Sequence, residues 1–362
     1  MSIPFVDLKA QYASIKEDID RAIAEVLNST TFIGGELVQQ FENEFADYIG
    51  TKHCIGVANG TDAIEIALKA LGIGTGDEVL VPALTWISTA GAVNNIGAEP
   101  VFVDVLEDQH TIDPALIEAK LTSKTKAIIP VHFYGLPAQM EAIMSIATKH
   151  GLKVIEDCAQ AHGATIHEKT VGTYGQIATF SFYPGKNLGA YGDAGAIVTS
   201  NPELDEICRR LRNHGQLKKH DHTIIGRNSR LDTIQAAILK AKLPYIERWT
   251  ERRIQVAKWY EKRLAALAPK VPEGFRHVYH LYVIQSARRD AIMRSLKEAN
   301  IGCALHYPTP LPHLASYSYK NHQVGDFPVA EKLCQEILSL PIFPEMSEEE
   351  VDWVCEIVNK HG

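Results

Sequence analysis

The sequence predicts an α/β protein with a large domain on a mainly parallel sheet, followed by a smaller α+β domain. Three observations predict it. From about residue 53, short apolar strands alternate with amphipathic helices along the chain. Those strands are apolar runs without alternation, as expected of strands covered on both faces. In the last third the texture changes to strand, helix and strand, the pattern of a separate α+β unit. The division is expected at 1–245 and 246–362.

The elements follow in order. Ile15, Ile19, Ala22, Ile23 and Val26 share one helical stripe. After the Gly34-Gly35 break, Phe41, Phe45 and Tyr48 share another, so residues 13–50 form a helical arm. Strands are expected at 54–57, 78–82, 100–104, 127–131 and 153–157. Helices are expected between them near 62–71, 86–95, 113–121 and 138–150. Residues 178–182 lead into a Gly-rich loop as a strand, and 196–199 lead out. Two long helices follow Leu231, one through Ile238 to Pro244 and one through Trp249 and Val256 to Leu264. A strand at 278–284, a helix at 289–298 and a strand at 302–307 complete the smaller unit.

Composition narrows the function. Hydrophobic residues make up 46% and charged residues 22%, with a formal net charge of -8 and no basic cluster. Nucleic acid and anionic membrane are therefore not expected as partners. The 6 cysteines are scattered without a C-x-x-C pair, which argues for reduced thiols and against a zinc site. His214, His220 and His222 lie in a polar, cationic stretch and read as a solvated loop, so no metal is expected. Neither a signal peptide nor a membrane span is evident, and a cytoplasmic location is expected.

Four groups of residues carry chemistry. Asn59-Gly60-Thr61-Asp62 follows a strand and opens a helix, with Thr61 or Asp62 expected as the cap. A glycine at a helix N-terminus lets an anion approach free backbone N–H groups. Trp86 stands just past a strand end, where a ring can stack on a planar ligand. Glu156-Asp157 ends a buried strand, where open α/β sheets place their ligands. Alternation lets one of the two acids face the ligand, with Asp157 preferred and Glu156 the structural alternative. Gln160 follows and can reach a ring hydroxyl. Lys186 sits in Ser181-Phe182-Tyr183-Pro184-Gly185-Lys186-Asn187-Leu188-Gly189, between two strands. A lysine kept dry there is a candidate for a covalent bond to a carbonyl. A phosphate cradle, a ring stacker, a pyridinium partner and such a lysine are the parts of a pyridoxal 5′-phosphate site.

In these segments, and from Phe5-Val6-Asp7-Leu8 to Leu340-Pro341-Ile342-Phe343-Pro344, the chain resembles the DegT/DnrJ/EryC1/StrS family of nucleotide-sugar aminotransferases. The resemblance implies pyridoxal-phosphate fold type I, like aspartate aminotransferase. It implies that Lys186 bonds the cofactor, Asp157 pairs with the pyridine nitrogen and Gln160 lies by the ring hydroxyl. Trp86 would stack on the ring, and Gly60, Thr61 and Ser181 would hold the phosphate. Asn228 is expected to reach the phosphate of a neighbouring subunit, making the active unit a homodimer with shared sites. Tyr183, Arg230, His306 and Tyr307 would line the sugar-nucleotide pocket. L-Glutamate is the implied donor.

The wording around Tyr183-Pro184-Gly185 is similar to that of family members acting on 3-keto sugars. The implied acceptor is a dTDP-3-keto-6-deoxyhexose, giving a dTDP-3-amino-3,6-dideoxyhexose. Asn213-His214-Gly215-Gln216 and Leu231-Asp232-Thr233 are also similar to enzymes acting on UDP-2-acetamido-2-deoxy-3-keto-glucuronate, and Arg230 could meet that uronate. A 4-keto sugar, or a non-catalytic protein that keeps the fold for binding, stand behind these. An oxidoreductase is disfavoured, because no G-x-G-x-x-G turn follows the first strand.

Overall fold

The computed structural model describes residues 2–264, 267 and 269–361. The N-terminal arm comprises α1 (Leu8–Ser14), α2 (Lys16–Ser29) and α3 (Glu36–Ile49). Their apolar stripes are buried, with Ile19, Val26, Phe41 and Phe45 at zero exposure. Strand β1 (His53–Val57) then leads into α4 (Gly60–Ala70), followed by β2 (Glu78–Pro82), α5 (Ser88–Asn95) and β3 (Glu99–Val103). Next come β4 (Thr125–Ile128), α6 (Met140–His150), β5 (Lys153–Asp157) and the short β6 (Thr165–Ile166) and β7 (Lys169–Thr170). β8 (Ile177–Ser181) and β9 (Gly195–Thr199) flank the lysine loop, and α7 (Pro202–Arg212), α8 (Thr233–Lys242) and α9 (Ile246–Arg263) follow.

Seven strands form one sheet in the order β1-β9-β8-β5-β4-β2-β3. The pairs β2–β3, β2–β4, β4–β5 and β5–β8 are parallel. β9 alone runs against its neighbours β1 and β8. The run of buried side chains in these strands reflects layers on both faces. Because β2, β5 and β8 run the same way, their carboxyl ends share one edge of the sheet. Asp157 ends β5 at that edge, and the loops carrying Trp86 and Lys186 leave from it.

The remaining elements are β10 (Phe275–Arg276), β11 (Tyr282–Gln285), α10 (Arg289–Glu298), α11 (Pro328–Glu336), β12 (Ile337–Leu340) and α12 (Glu348–His361). β11 pairs antiparallel with β12, and β10, β6 and β7 form a small sheet. Three expectations are corrected here. Residues 113–121 are two short 3₁₀ turns, Pro114–Leu116 and Glu118–Lys120, and not an α-helix. Asp113 caps the first and its proline starts it, but neither turn propagates. No strand spans 302–307; the ladder contact there is a single bridge from Ala304 to Ser339. The strand expected at 278–284 is hydrogen-bonded as a ladder only over 282–285, since Val278 and Leu281 instead bond the carbonyls of Gly135 and Tyr134.

Candidate active site

The helix that opens at the cradle is capped by Asn59, and not by Thr61 or Asp62. Asn59 is extended, with φ -166°, and its side chain accepts from the Asp62 N–H at 2.8 Å. Gly60 and Thr61 therefore lie in the first turn of α4, where backbone N–H groups lack helical partners. A side chain at Gly60 would meet Cβ of Ser181 at 2.8 Å. At Gly195 it would meet the backbone of Asn59 at 2.5 Å. Glycine at both positions lets the end of the β8–β9 pair close on the helix N-terminus. Thr61 Oγ donates to Ser88 Oγ at 2.8 Å, joining the start of α4 to that of α5.

Asp157 is buried at 5% exposure. Its Oδ2 accepts from Thr89 Oγ1 at 2.9 Å and its Oδ1 from the Ala159 N–H at 3.1 Å. Burial pushes its pKa up, opposed by those two hydrogen bonds and by Lys186 and His132. Each oxygen keeps a further lone pair for a donor such as a pyridinium N–H. Glu156 points the other way. It accepts the N–H groups of Gly172, Tyr174 and Gly175 and lies 3.1 Å from His132 Nε2. Since His132 Nδ1 accepts from the Ala138 N–H, its proton sits on Nε2. Glu156, His132 and Cys158 lie close enough together to suggest a metal. The carboxylate and imidazole are already engaged, and the Cys158 thiol is held well above its usual range by burial.

Lys186 is half-buried, and its amine makes no hydrogen bond or ion pair among the described residues. Desolvation pushes its pKa down to about 8, with Asp157 pulling the other way. Three imidazoles, His162, His280 and His306, feel its charge, and burial holds each on the neutral side. The loop is fixed by the Lys186 N–H on the Tyr183 carbonyl and the Ala190 N–H on the Phe182 carbonyl, both 2.8 Å. Asn187 Nδ2 donates to the Val278 carbonyl at 3.0 Å.

Gln160 is buried, and its Oε1 accepts from the Tyr134 N–H at 2.6 Å. Burial and the Asp157 charge push the pKa of the Tyr307 hydroxyl up, opposed by the Gln160 amide beside it. Trp86 is 54% exposed, with its ring 5.3 Å from that of Tyr307. His306 Nδ1 pairs with Ser339 Oγ at 2.8 Å, and its carbonyl accepts from the Tyr134 hydroxyl. Tyr183 is exposed beside the loop.

Two expected residues stay outside this group within one chain. Asn228 is exposed, and its side chain makes no hydrogen bond among the described residues. Among the described residues Arg230 makes one long side-chain hydrogen bond, 3.4 Å to Asn213, and its buried Nε has no partner. Thr89, Tyr134 and His280 are neighbours of the site that the sequence reading did not single out. Thr89, in the first turn of α5, arrives through tertiary packing, as do the other two.

These residues fit pyridoxal 5′-phosphate. A glycine-lined helix N-terminus suits its phosphate, a buried carboxylate its pyridinium and an unpartnered, partly desolvated lysine its aldehyde. Comparison with known proteins agrees. A family model for the DegT/DnrJ/EryC1/StrS aminotransferase family matches residues 13–359. The chain is 49% identical over 365 residues to a pleiotropic regulatory protein of Geobacillus stearothermophilus, covering 98% of this chain and 97% of that one. It is 47% identical over 363 residues to dTDP-3-amino-3,6-dideoxy-alpha-D-galactopyranose transaminase of Aneurinibacillus thermoaerophilus, covering 99% of both. It is 46% identical over 367 residues to UDP-N-acetyl-3-dehydro-alpha-D-glucosamine 3-aminotransferase of Acidithiobacillus ferrooxidans, covering 100% of this chain and 99% of the other. The crystal structure of S. venezuelae DesV in complex with a ketimine intermediate superposes with a TM-score of 0.97 at 42% identity, covering 99% of this chain and 98% of that one.

The chain belongs to the DegT/DnrJ/EryC1/StrS aminotransferase family. It is a sugar transaminase of pyridoxal-phosphate fold type I, and pyridoxal 5′-phosphate is its cofactor.

Proposed function

We propose that this enzyme transfers the amino group of L-glutamate to C3 of a dTDP-linked 3-keto-6-deoxyhexose, yielding the dTDP-3-amino-3,6-dideoxyhexose. The observation that carries the aminotransfer chemistry is the partly desolvated, unpartnered Lys186 amine beside the buried carboxylate of Asp157. The 3-keto assignment is supported by the Tyr183-Pro184-Gly185 wording and by the two named 3-amino-sugar relatives.

When bound, the cofactor supplies an electron sink for the electron pair left at the donor Cα. Asp157 keeps the ring nitrogen protonated, and Thr89 and the Ala159 N–H hold that carboxylate in line. Gly60, Thr61 and Ser181 would take the phosphate, Gln160 would lie by the ring hydroxyl and Trp86 would cover the ring. Lys186 would hold the cofactor covalently and, as a free amine, would remove the proton from the donor Cα, a role suited to an amine pushed down to about 8. Tyr183, His306 and Tyr307 would line the sugar side, and Arg230, like Asn228, would reach it from the partner subunit.

The active unit in this reading is a homodimer. Phe32 and Ile33 are about half exposed beside the Asp232–Thr233 segment, and Asn228 has no role in its own chain's site. Asn228 would serve the phosphate of the partner. The same reading divides the chain at Tyr245, where α9 opens; the apolar cluster of α9, α10, α12, β11 and β12 supports it.

One observation favours a second acceptor. Among the described residues the buried Arg230 Nε has no hydrogen-bond partner and the guanidinium no carboxylate, which would suit the C6 carboxylate of UDP-2-acetamido-2-deoxy-3-keto-glucuronate. Half-reactions decide between them. The aminated enzyme is offered dTDP-3-keto-6-deoxyglucose, its galactose epimer and the UDP-3-ketouronate in turn, and each sugar product is examined for a new amine. Amination of a dTDP sugar is expected; amination of the uronate alone would replace the first reading with the second.

A further inference from the structure

A second lysine lies behind the catalytic loop. Lys242, the last residue of α8, is fully buried. Among the described residues no carboxylate pairs with it. Its Nζ instead donates to the Gly189 carbonyl at 2.8 Å and to Gln11 Oε1 at 3.1 Å. It also stands 4.2 Å from the centre of the Tyr191 ring. All three directions of the ammonium are thus used, two by neutral acceptors and one by a ring face.

Burying an ammonium without a counter-ion costs free energy, and desolvation pushes this one down to about 8. A Leu or Met stem would fill the space without that cost. The position of the acceptor gives the reason. Gly189 closes the loop that carries Lys186, and its Cα packs so tightly on Pro184 that a side chain there would meet the Pro184 oxygen at 2.3 Å. The following Ala190 N–H makes the last link across the loop neck. Two turns earlier on α8, Gln235 Oε1 accepts from the Tyr191 N–H at 2.9 Å. One helix therefore grips the C-terminal side of the loop at residues 189 and 191. Asn187 holds its middle to Val278.

We propose that Lys242 is a positioning residue for Lys186, fixing the Gly189 carbonyl so that the loop presents the catalytic amine to the cofactor. The proposal rests on the reading that Lys186 bonds the cofactor aldehyde. Lys242 itself touches neither cofactor nor substrate. Its bond to Gln11 ties the same point to α1, so the N-terminal arm is held by the residue that braces the loop.

The test exploits the two forms of the cofactor. Pyridoxal phosphate gains affinity from its bond to Lys186, whereas pyridoxamine phosphate has no aldehyde and uses only the cradle and Asp157. Apoprotein of Lys242→Met is titrated with each, beside wild type and Gln11→Ala. Loss of a charged hydrogen bond should weaken pyridoxal phosphate binding about tenfold, while pyridoxamine phosphate stays within about twofold of wild type. Gln11→Ala should leave both affinities in place. Equal weakening of both forms, or of neither, would overturn the proposal, as would the same selective loss in Gln11→Ala. Lys242→Gln offers a shorter, uncharged donor to Gly189 and serves if the methionine variant does not fold; it should weaken pyridoxal phosphate binding less than tenfold and leave pyridoxamine phosphate binding unchanged, and an equal effect on both forms would overturn the proposal. Wild type binding both forms equally would overturn the assignment of Lys186 itself, a separate outcome.

Discussion

The floor of the cleft and its rim are built on opposite terms. On the floor, Asp157 is buried and its oxygens are held by protein donors, as are those of Glu156 on the opposite face of the strand. At the rim, Trp86 and Tyr183 are more than half exposed, and among the described residues the Asn228 side chain has no hydrogen bond and Arg230 keeps a buried nitrogen unmatched. The difference follows from what each region must do. A group that must keep one protonation state against water is fixed by burial and closed hydrogen bonds. A group that meets a large, variable substrate has its remaining bonds completed by that substrate or by a second subunit.

Substitutions should separate the two regions. The largest effect is expected at Lys186: Lys186→Ala should lower turnover by about 10⁴-fold or more and remove the visible absorbance of the lysine-bound cofactor. Persistence of both would break the assignment. Next, Asp157→Asn should cut the glutamate half-reaction by about 10² to 10³-fold while the cofactor is still taken up, since it removes charge stabilisation and leaves the cradle in place. Unchanged single-turnover rates would contradict the pyridinium role.

Rim changes should be smaller and of another kind. Arg230→Gln should raise KM for a uronate acceptor by about tenfold and leave that for a 6-deoxy sugar within about twofold, with kcat near wild type in both. A kcat loss shared by both acceptors would move Arg230 to the floor. The smallest effect is a shift in pH. The neutral Lys186 amine is the nucleophile, so covalent capture of the cofactor should rise with pH to a plateau around a midpoint near 8, far below the usual 10.5. Asp157 stabilises the protonated amine, so Asp157→Asn should move that midpoint lower. A midpoint that rises in stopped-flow capture would reverse this electrostatic picture.

Floor and rim also differ in how far they were legible. Uninterrupted apolar runs mark β2, β5, β8 and β9, and chemistry-bearing residues at their ends mark Asp157 and the Lys186 loop. That link is local: strand, then strand end, then side chain. Thr89, Tyr134 and Lys242 come from elsewhere in the chain and reach the site only through packing. The cap was misplaced because Thr61 and Asp62 are as good capping types as Asn59, and only the extended backbone of Asn59 decides. Residues 302–307 have strand composition, yet only Ala304 bonds β12, through both backbone groups of Ser339 on the edge opposite β11, and the pairing does not extend to its neighbours.

Lys186 and Lys242 give the most direct test, because both are desolvated, both are pushed to about 8 and both belong to the same loop assembly. Borohydride reduction of the enzyme with pyridoxal phosphate, followed by peptide mass mapping, fixes the cofactor to whichever amine it bonds. The label is expected on the peptide carrying Lys186 and absent from Lys242. A label on Lys242, or no covalent label at all, would contradict the central claim.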